Sequence, residues 1–173
     1  MRNVEIKVRL RERARVETQL TRLGARDLGV ETQFDVFYAS RRGRLKLRES
    51  SRDGAALIFY ERSDAPALRH SDYDLVRVPD AAALRRLLDA SLGRTGELRK
   101  QRHLYLLDNV RVHLDEVTHL GSFLELEAVV DATHSEAECA ARAAELLGSF
   151  GIAPEDRLAV AYVDLLPPTP EQR

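Results

Sequence analysis

The stretch Gly43–Arg48, GRLKLR, sets Arg44, Lys46 and Arg48 against Leu45 and Leu47. Successive side chains of a β-strand point to opposite faces, so one face carries three cations and the other carries leucines. For a single strand the ordinary explanation is an antiparallel sheet with one face on a core and one in water. The same alternation recurs along the chain. Val4, Ile6, Val8 and Leu10 alternate with Glu5, Lys7 and Arg9. Lys100 and Arg102 are one strand period apart, as are Arg111, His113 and Asp115, and Glu125 and Glu127 lie opposite Leu124 and Leu126. A wetted face usually mixes Thr, Ser and both signs of charge, and like charges facing each other on neighbouring strands repel. Here cations cluster on some strands and acids on another.

Bulk composition narrows what these faces can do. The 173 residues suit one domain with a real core. Lys and Arg number 27 against 28 Asp and Glu, so the net charge of −1 gives no overall field to attract nucleic acid. Any strong anion site must come from local sorting of charge. The single cysteine, Cys139, lies in the Ala-rich run ECAARAAELL and reads as a small helix-packing residue. The five histidines, His70, His103, His113, His119 and His134, show no metal-ligand spacing and read as surface or strand residues. Neither a membrane-length apolar run nor a signal-peptide apolar region is visible, so a cytoplasmic location is the default expectation.

Read in order, the chain alternates hairpin-like strands with a few helices. NVEIKVRL is a strand; RERARVETQLTRLGA has helical spacing at Val16, Leu20 and Leu23, with Gly24 as a stop. DLGVETQFDVFYAS, RLKLRES, AALIFYER and SDYDLVRV are strands, separated by the turns RRG and SRDG and by the loop SDAPALRH. PDAAALRRLLDASLG is a helix with Pro79 and Asp80 at its start and Gly93 at its end. ELRKQRHLYLL, VRVHLDEV and SFLELEAVV are strands, SEAECAARAAELLGSF is a strong helix, and EDRLAVAYVDLL is expected to be helical. Residues 1–166 form one domain, and 167–173, PPTPEQR, a disordered tail. This is an α+β chain of eight antiparallel strands with three or four helices, and closure into a β-barrel removes the sheet edges.

If the barrel closes with its ionic faces inward, the leucine and valine faces pack under external helices. A cation-lined tunnel is unstable empty and dry, because uncompensated buried charge is expensive. Phosphate chains fit such a tunnel, since Arg binds phosphate oxygens bidentately and Lys supplies a point charge. Acids beside a polyanion make sense as ligands for Mg²⁺ or Mn²⁺, which bridges carboxylates to phosphates.

With these features the chain resembles the CYTH superfamily, the triphosphate tunnel metalloenzymes, on the branch of class IV adenylyl cyclase-like and thiamine triphosphatase-like proteins. The family's N-terminal signature E-x-E-x-K reads NVEIK at Asn3–Lys7. RLKLR at 44–48, YER at 60–62, SDY at 71–73 and YVDLL at 162–166 also match. The most specific block is 99–130, with its core HLDEV…LGSFLELE, and the resemblance covers about residues 2–166. It implies an eight-stranded antiparallel tunnel with helices outside, binding a triphosphate with a divalent metal. By position it implies Glu5, Glu125 and Glu127 as metal ligands. It implies Lys7, Arg9, Arg44, Lys46, Arg48, Lys100, Arg102 and Arg111 as phosphate contacts, with Arg77 as a further contact of ambiguous strand phase. Asp115 is either a metal ligand or the ion-pair partner of an Arg on a neighbouring strand. The departure is Asn3, where the signature has its first Glu: an amide oxygen is neutral and a weaker ligand.

Two reactions share such a site. In a cyclase the ribose 3′-hydroxyl of ATP attacks the α-phosphorus and pyrophosphate leaves. In a triphosphatase water attacks a terminal phosphorus of tripolyphosphate, thiamine triphosphate or a nucleotide. Lys7 serves as general base or as a phosphate contact alone. Arg69, Tyr73 and nearby aromatics are candidates for a nucleoside pocket. The cyclase-like reading leads, the triphosphatase follows, and Asn3 keeps a non-catalytic polyphosphate or nucleotide binder in play. A single-stranded nucleic-acid barrel would interleave aromatics on the charged faces, which these strands lack. A membrane partner is not expected, and both a monomer and a homodimer stay open.

Overall fold

The computed structural model describes residues 2–62 and 68–166. In chain order these are β1 (Arg2–Arg9), α1 (Arg13–Arg22), β2 (Arg26–Tyr38), β3 (Arg44–Ser50), β4 (Gly54–Arg62), β5 (Arg69–Val78), α2 (Ala81–Ser91), β6 (Arg94–Leu107), β7 (Val110–Val117), β8 (Gly121–Val129) and α3 (Glu136–Phe150). A 3₁₀ turn (Pro154–Asp156), the two-residue strand β9 (Arg157–Leu158) and a second 3₁₀ turn (Tyr162–Leu165) follow. Residues 63–67 of the expected loop and the expected tail 167–173 lie outside the described residues.

Eight antiparallel strands close on themselves in the order β5-β4-β3-β2-β6-β7-β8-β1, with β1 returning to β5. The closing seam is short: β1 meets β5 only over Arg2–Glu5 with residues 69–72. Past it, Lys7 and Val8 pair instead with Leu158 and Arg157 of β9. This corrects the helical expectation for EDRLAVAYVDLL. Pairing with the vacant edge of β1 satisfies extended backbone groups there, and only single 3₁₀ turns remain on either side.

The alternation sorts the two faces as the GRLKLR pattern requires. Outside, Val4, Ile6 and Val8 of β1, Val112 and Leu114 of β7, and Leu124 and Leu126 of β8 are at most 1% exposed. They pack with Val16 and Leu20 of α1 and with Ala143, Leu146 and Phe150 of α3. Burial of each such Val, Leu or Ile contributes about 1.5–3 kcal/mol. On the other side of the barrel Val36 and Leu47 pack with Leu88 of α2. Capping holds the helices in place: Asp80 accepts from the Ala83 N–H at 2.9 Å, and Ser135 and Glu138 form a capping box. The turn into β3 depends on Gly43, whose φ is +61° and where a Cβ would meet the Tyr60 carbonyl oxygen at 2.6 Å.

Candidate functional site

The inward face lines one cavity of about 320 Å³. β1 contributes Asn3, Glu5 and Lys7; β2 Glu31, Gln33 and Asp35; β3 Lys46 and Arg48; β6 Lys100 and Arg102; β7 Arg111 and His113; β8 Glu125 and Glu127. Cross-strand register brings distant segments together: Lys7 pairs with Glu125, Glu5 and Arg111 each with Glu127, and His113 with Glu125. Among the described residues, β4 and β5 add the uncharged side chains Ile58, Tyr60, Tyr73 and Leu75.

The charges interleave rather than segregate, which corrects the expectation that cations and acids gather apart. Asp35, 2% exposed, accepts from Arg48 at 2.7 Å through both oxygens and from Lys46 at 3.1 Å. Asp115, fully buried, accepts from Arg102 at 2.6 and 2.7 Å and from Lys100 at 3.2 Å. Glu125 is bonded to Lys7 and to Arg102, the latter at 2.6 Å, and Lys7 lies 3.7 Å from Glu5. Arg111 holds Glu127 at 3.0 Å. The physical reason is the one that made an uncompensated tunnel implausible: buried cations need partners. Among the described residues, six cations (Lys7, Lys46, Arg48, Lys100, Arg102, Arg111) and six carboxylates (Glu5, Glu31, Asp35, Asp53, Glu125, Glu127) line the cavity.

Protonation follows from these pairs. Burial pushes the Asp35, Asp115 and Glu125 carboxyls up, but Arg48 and Lys46, Arg102 and Lys100, and Lys7 and Arg102 respectively overcome it and hold all three low. Burial and the neighbouring Arg48 bring Lys46 down to about 7, with Asp35 opposing. Burial and Arg102 bring Lys100 down to about 8. Burial, then Arg102, also lowers His113, which favours the neutral imidazole.

Lys7, Lys46, Arg48, Lys100, Arg102 and Arg111 thus meet in one place with Glu5, Glu125 and Glu127. Asp115 sits behind Lys100 and Arg102 as their ion-pair partner. Arg9 is exposed beyond the cavity lining, its guanidinium 5.5 Å from the Phe123 ring. Arg44 binds Asp164 at 2.7 Å, and the exposed Arg77 donates to the Asp53 carbonyl at 2.6 Å. Tyr73 lines the cavity, while the side chain of Arg69 lies outside the described residues. With its amide turned to satisfy both neighbours, Asn3 donates to the Arg2 carbonyl and accepts from Arg111 at 2.9 Å.

Sequence reasoning missed Glu31, Gln33 and Asp35, although ETQFD alternates just as the other ionic strands do. It also missed Tyr162, which lines the cavity with Lys7 and Lys100 5.6 and 5.4 Å from its ring centre. Spacing along the chain gave no histidine a ligand role. Across strands, however, His113 Nδ1 and one oxygen each of Glu125 and Glu127 lie within 4.8 Å of one another, a grouping that could hold a cation.

This combination on a closed antiparallel barrel has a known counterpart. The CYTH domain matches residues 1–162. The chain belongs to the CYTH family. Its members include adenylyl cyclase-like and triphosphatase enzymes, and the family is metal-dependent. This CYTH chain is 24% identical to a Methanocaldococcus jannaschii protein named "Putative adenylate cyclase", covering 95% of this chain and 98% of that one. Its fold is similar to that of the PH1012 protein from Pyrococcus horikoshii, with a TM-score of 0.84 at 22% identity, covering 95% of this chain and 99% of that one. It is also similar to a Hippeastrum protein, "Putative adenylyl cyclase HpAC1", described with a dominant triphosphatase activity. There the TM-score is 0.63 at 15% identity, with 94% and 93% covered. Among the described residues no helix of this CYTH protein is long and apolar enough to cross a membrane.

Proposed function

We propose that this CYTH protein is a divalent-metal-dependent enzyme that holds a triphosphate inside the barrel, with a class IV adenylyl cyclase-like reaction on ATP. The observation that carries the reading is the meeting of six cations from four strands with Glu5, Glu125 and Glu127 in one cavity. Each cation there already has a counter-charge on a side chain, so a phosphate chain enters by exchange, its oxygens replacing carboxylates as partners of Lys46, Arg48, Lys100, Arg102 and Arg111. Glu5, Glu125 and Glu127 would hold the cation, which supplies charge that polarises phosphoryl oxygens. The unpartnered nitrogen among these acids, His113 Nδ1, supports that fit.

The cluster of Ile58, Tyr60, Tyr73 and Leu75 in the cavity lining supports an organic group attached to the triphosphate. On ATP, the ribose 3′-oxygen bonds the α-phosphorus, the bridging α–β P–O bond breaks, and pyrophosphate departs with its charge held by the Arg and Lys set. Lys7, beside the acids of β8, is placed to take the hydroxyl proton or to hold a phosphate oxygen. The dominant triphosphatase activity described for the Hippeastrum relative favours a second reading, hydrolysis of a terminal phosphoryl group by water, on tripolyphosphate, thiamine triphosphate or a nucleotide.

Incubating the protein with ATP and with tripolyphosphate, each with Mg²⁺ or Mn²⁺, and resolving the products separates these. Cyclic AMP with pyrophosphate is the expected result. Orthophosphate alone makes it a triphosphatase. Tight binding without turnover leaves a binder, and neither binding nor turnover refutes the site.

A further inference from the structure

His113 stands near the middle of β7, 3% exposed, and its Nδ1 is buried without a hydrogen-bond partner. A buried polar nitrogen left this way carries a desolvation cost unless something takes its lone pair. The atoms it faces are carboxylate oxygens: Glu125 Oε2 at 3.6 Å and Glu127 Oε1 at 3.9 Å. Both separations are too long for a hydrogen bond. They are close to the roughly 3.4 Å between two donors that each lie about 2.1 Å from one tetrahedrally bound cation. The carboxylates are oriented from behind. Glu127 gives its other oxygen to Arg111 at 3.0 Å and Glu125 gives its other oxygen to Lys7, while the Glu125 Oε2 that faces His113 also accepts from Arg102 at 2.6 Å, a contact the cation would displace or share. Register holds the three side chains together, since His113 is directly opposite Glu125 and Arg111 is directly opposite Glu127.

The donor chemistry is therefore mixed. Two carboxylates alone would suit Mg²⁺, a hard ion that prefers oxygen and gives up its water reluctantly. A neutral imidazole nitrogen in the set suits first-row transition ions, whose affinity for such sites climbs from Mn²⁺ to Co²⁺ and beyond. We propose that His113 is a nitrogen ligand of the cation in this cavity and that it makes the site select a first-row transition ion over Mg²⁺. The inference rests on the reading of the cavity as a metal-assisted triphosphate site. It adds which ion that site takes and which residue decides it.

The test uses the full chain with Co²⁺ and Mg²⁺ as probes, binding being measured by calorimetry, with tripolyphosphate binding followed in the same samples. The wild-type protein is expected to bind Co²⁺ at least about tenfold more tightly than Mg²⁺, and the proton NMR spectrum of the Co²⁺ complex to show hyperfine-shifted resonances of one imidazole. His113→Gln is expected to lose those resonances and about tenfold or more of Co²⁺ affinity while Mg²⁺ affinity holds. The wild-type spectrum needs no variant, so a poorly folding His113→Gln does not decide the matter. Co²⁺ and Mg²⁺ bound alike, or Co²⁺ bound without shifted imidazole signals, overturns the role of His113 while triphosphate binding keeps the wider reading. Failure of cations and tripolyphosphate alike to bind overturns both.

Discussion

At the scale of single residues, Lys7 and Asp115 separate chemistry from support. Lys7 is bonded to Glu125 and lies 3.7 Å from Glu5, at the junction of the cations and the acids. If it takes the proton in the reaction, Lys7→Arg preserves charge but not that function. The expected outcome is triphosphate affinity within a few-fold of wild type and turnover lower by about 10²–10⁴-fold. Unchanged turnover reassigns Lys7 to phosphate contact. Asp115 is fully buried between Arg102 and Lys100, so Asp115→Ala leaves two buried cations short of a partner. The expected loss is about 3–5 kcal/mol in urea unfolding without added metal. A loss seen only with metal present would make Asp115 a metal ligand instead.

At the scale of elements, β3 and β6 carry the pH dependence. Lys46 titrates at about 7 and Lys100 at about 8, both below their ordinary 10.5 because burial and a neighbouring Arg disfavour the charged form. Such a lowered value burdens the ligand-free fold fully below the folded value, and the burden lifts as pH rises towards the unfolded one. The Lys46 contribution to stability therefore improves between about 7 and 10.5, while the charge offered to a phosphate chain declines over the same range. Tripolyphosphate affinity should fall from pH 6.5 to pH 9, and calorimetry in buffers of different ionisation heat should show Lys46→Arg flattening that fall. In the turn before β3, Gly43→Ala should cost more than about 1 kcal/mol in thermal or urea unfolding. The left-handed backbone and the Tyr60 carbonyl at 2.6 Å leave no room for the methyl group.

Legibility also varied by element. β1, β3 and β8 were readable because each holds a central run of strict alternation, VEIKVR, RLKLR and LELE, with charged residues on one face and aliphatic ones on the other. β2 hid Glu31 and Asp35 because a register irregularity between Asp27 and Val30 and the inward apolar Phe37 blur its phase. The C-terminal run looked helical because its apolar spacing fits a helix. The free half of β1's edge, a tertiary feature no local pattern contains, decided otherwise. His113 was legible as part of an ionic face but not as a neighbour of Glu125 and Glu127, since cross-strand proximity appears only once register is set.

At the scale of the whole molecule, the described residues of the cavity balance, six cations against six carboxylates, inside a chain of net charge −1. A bare polyanion entering such a cavity gains little net attraction, so metal and triphosphate should bind cooperatively. Removing divalent ions with a chelator should weaken tripolyphosphate binding about 5–150-fold. By linkage, tripolyphosphate should tighten metal binding by the same factor, and calorimetry of each ligand in the presence of the other checks it. Equal affinity with and without metal would mean that the cations alone hold the anion. The closing seam has a further consequence, for synthesis. β1 is synthesised before every strand it pairs with, since its partners are residues 69–72, 123–129 and 157–158. Its first partner edge is β5, and its longest pairing, with β8, awaits residues 123–129. Because such distant pairings are slow, barrel closure is expected in milliseconds to seconds rather than microseconds.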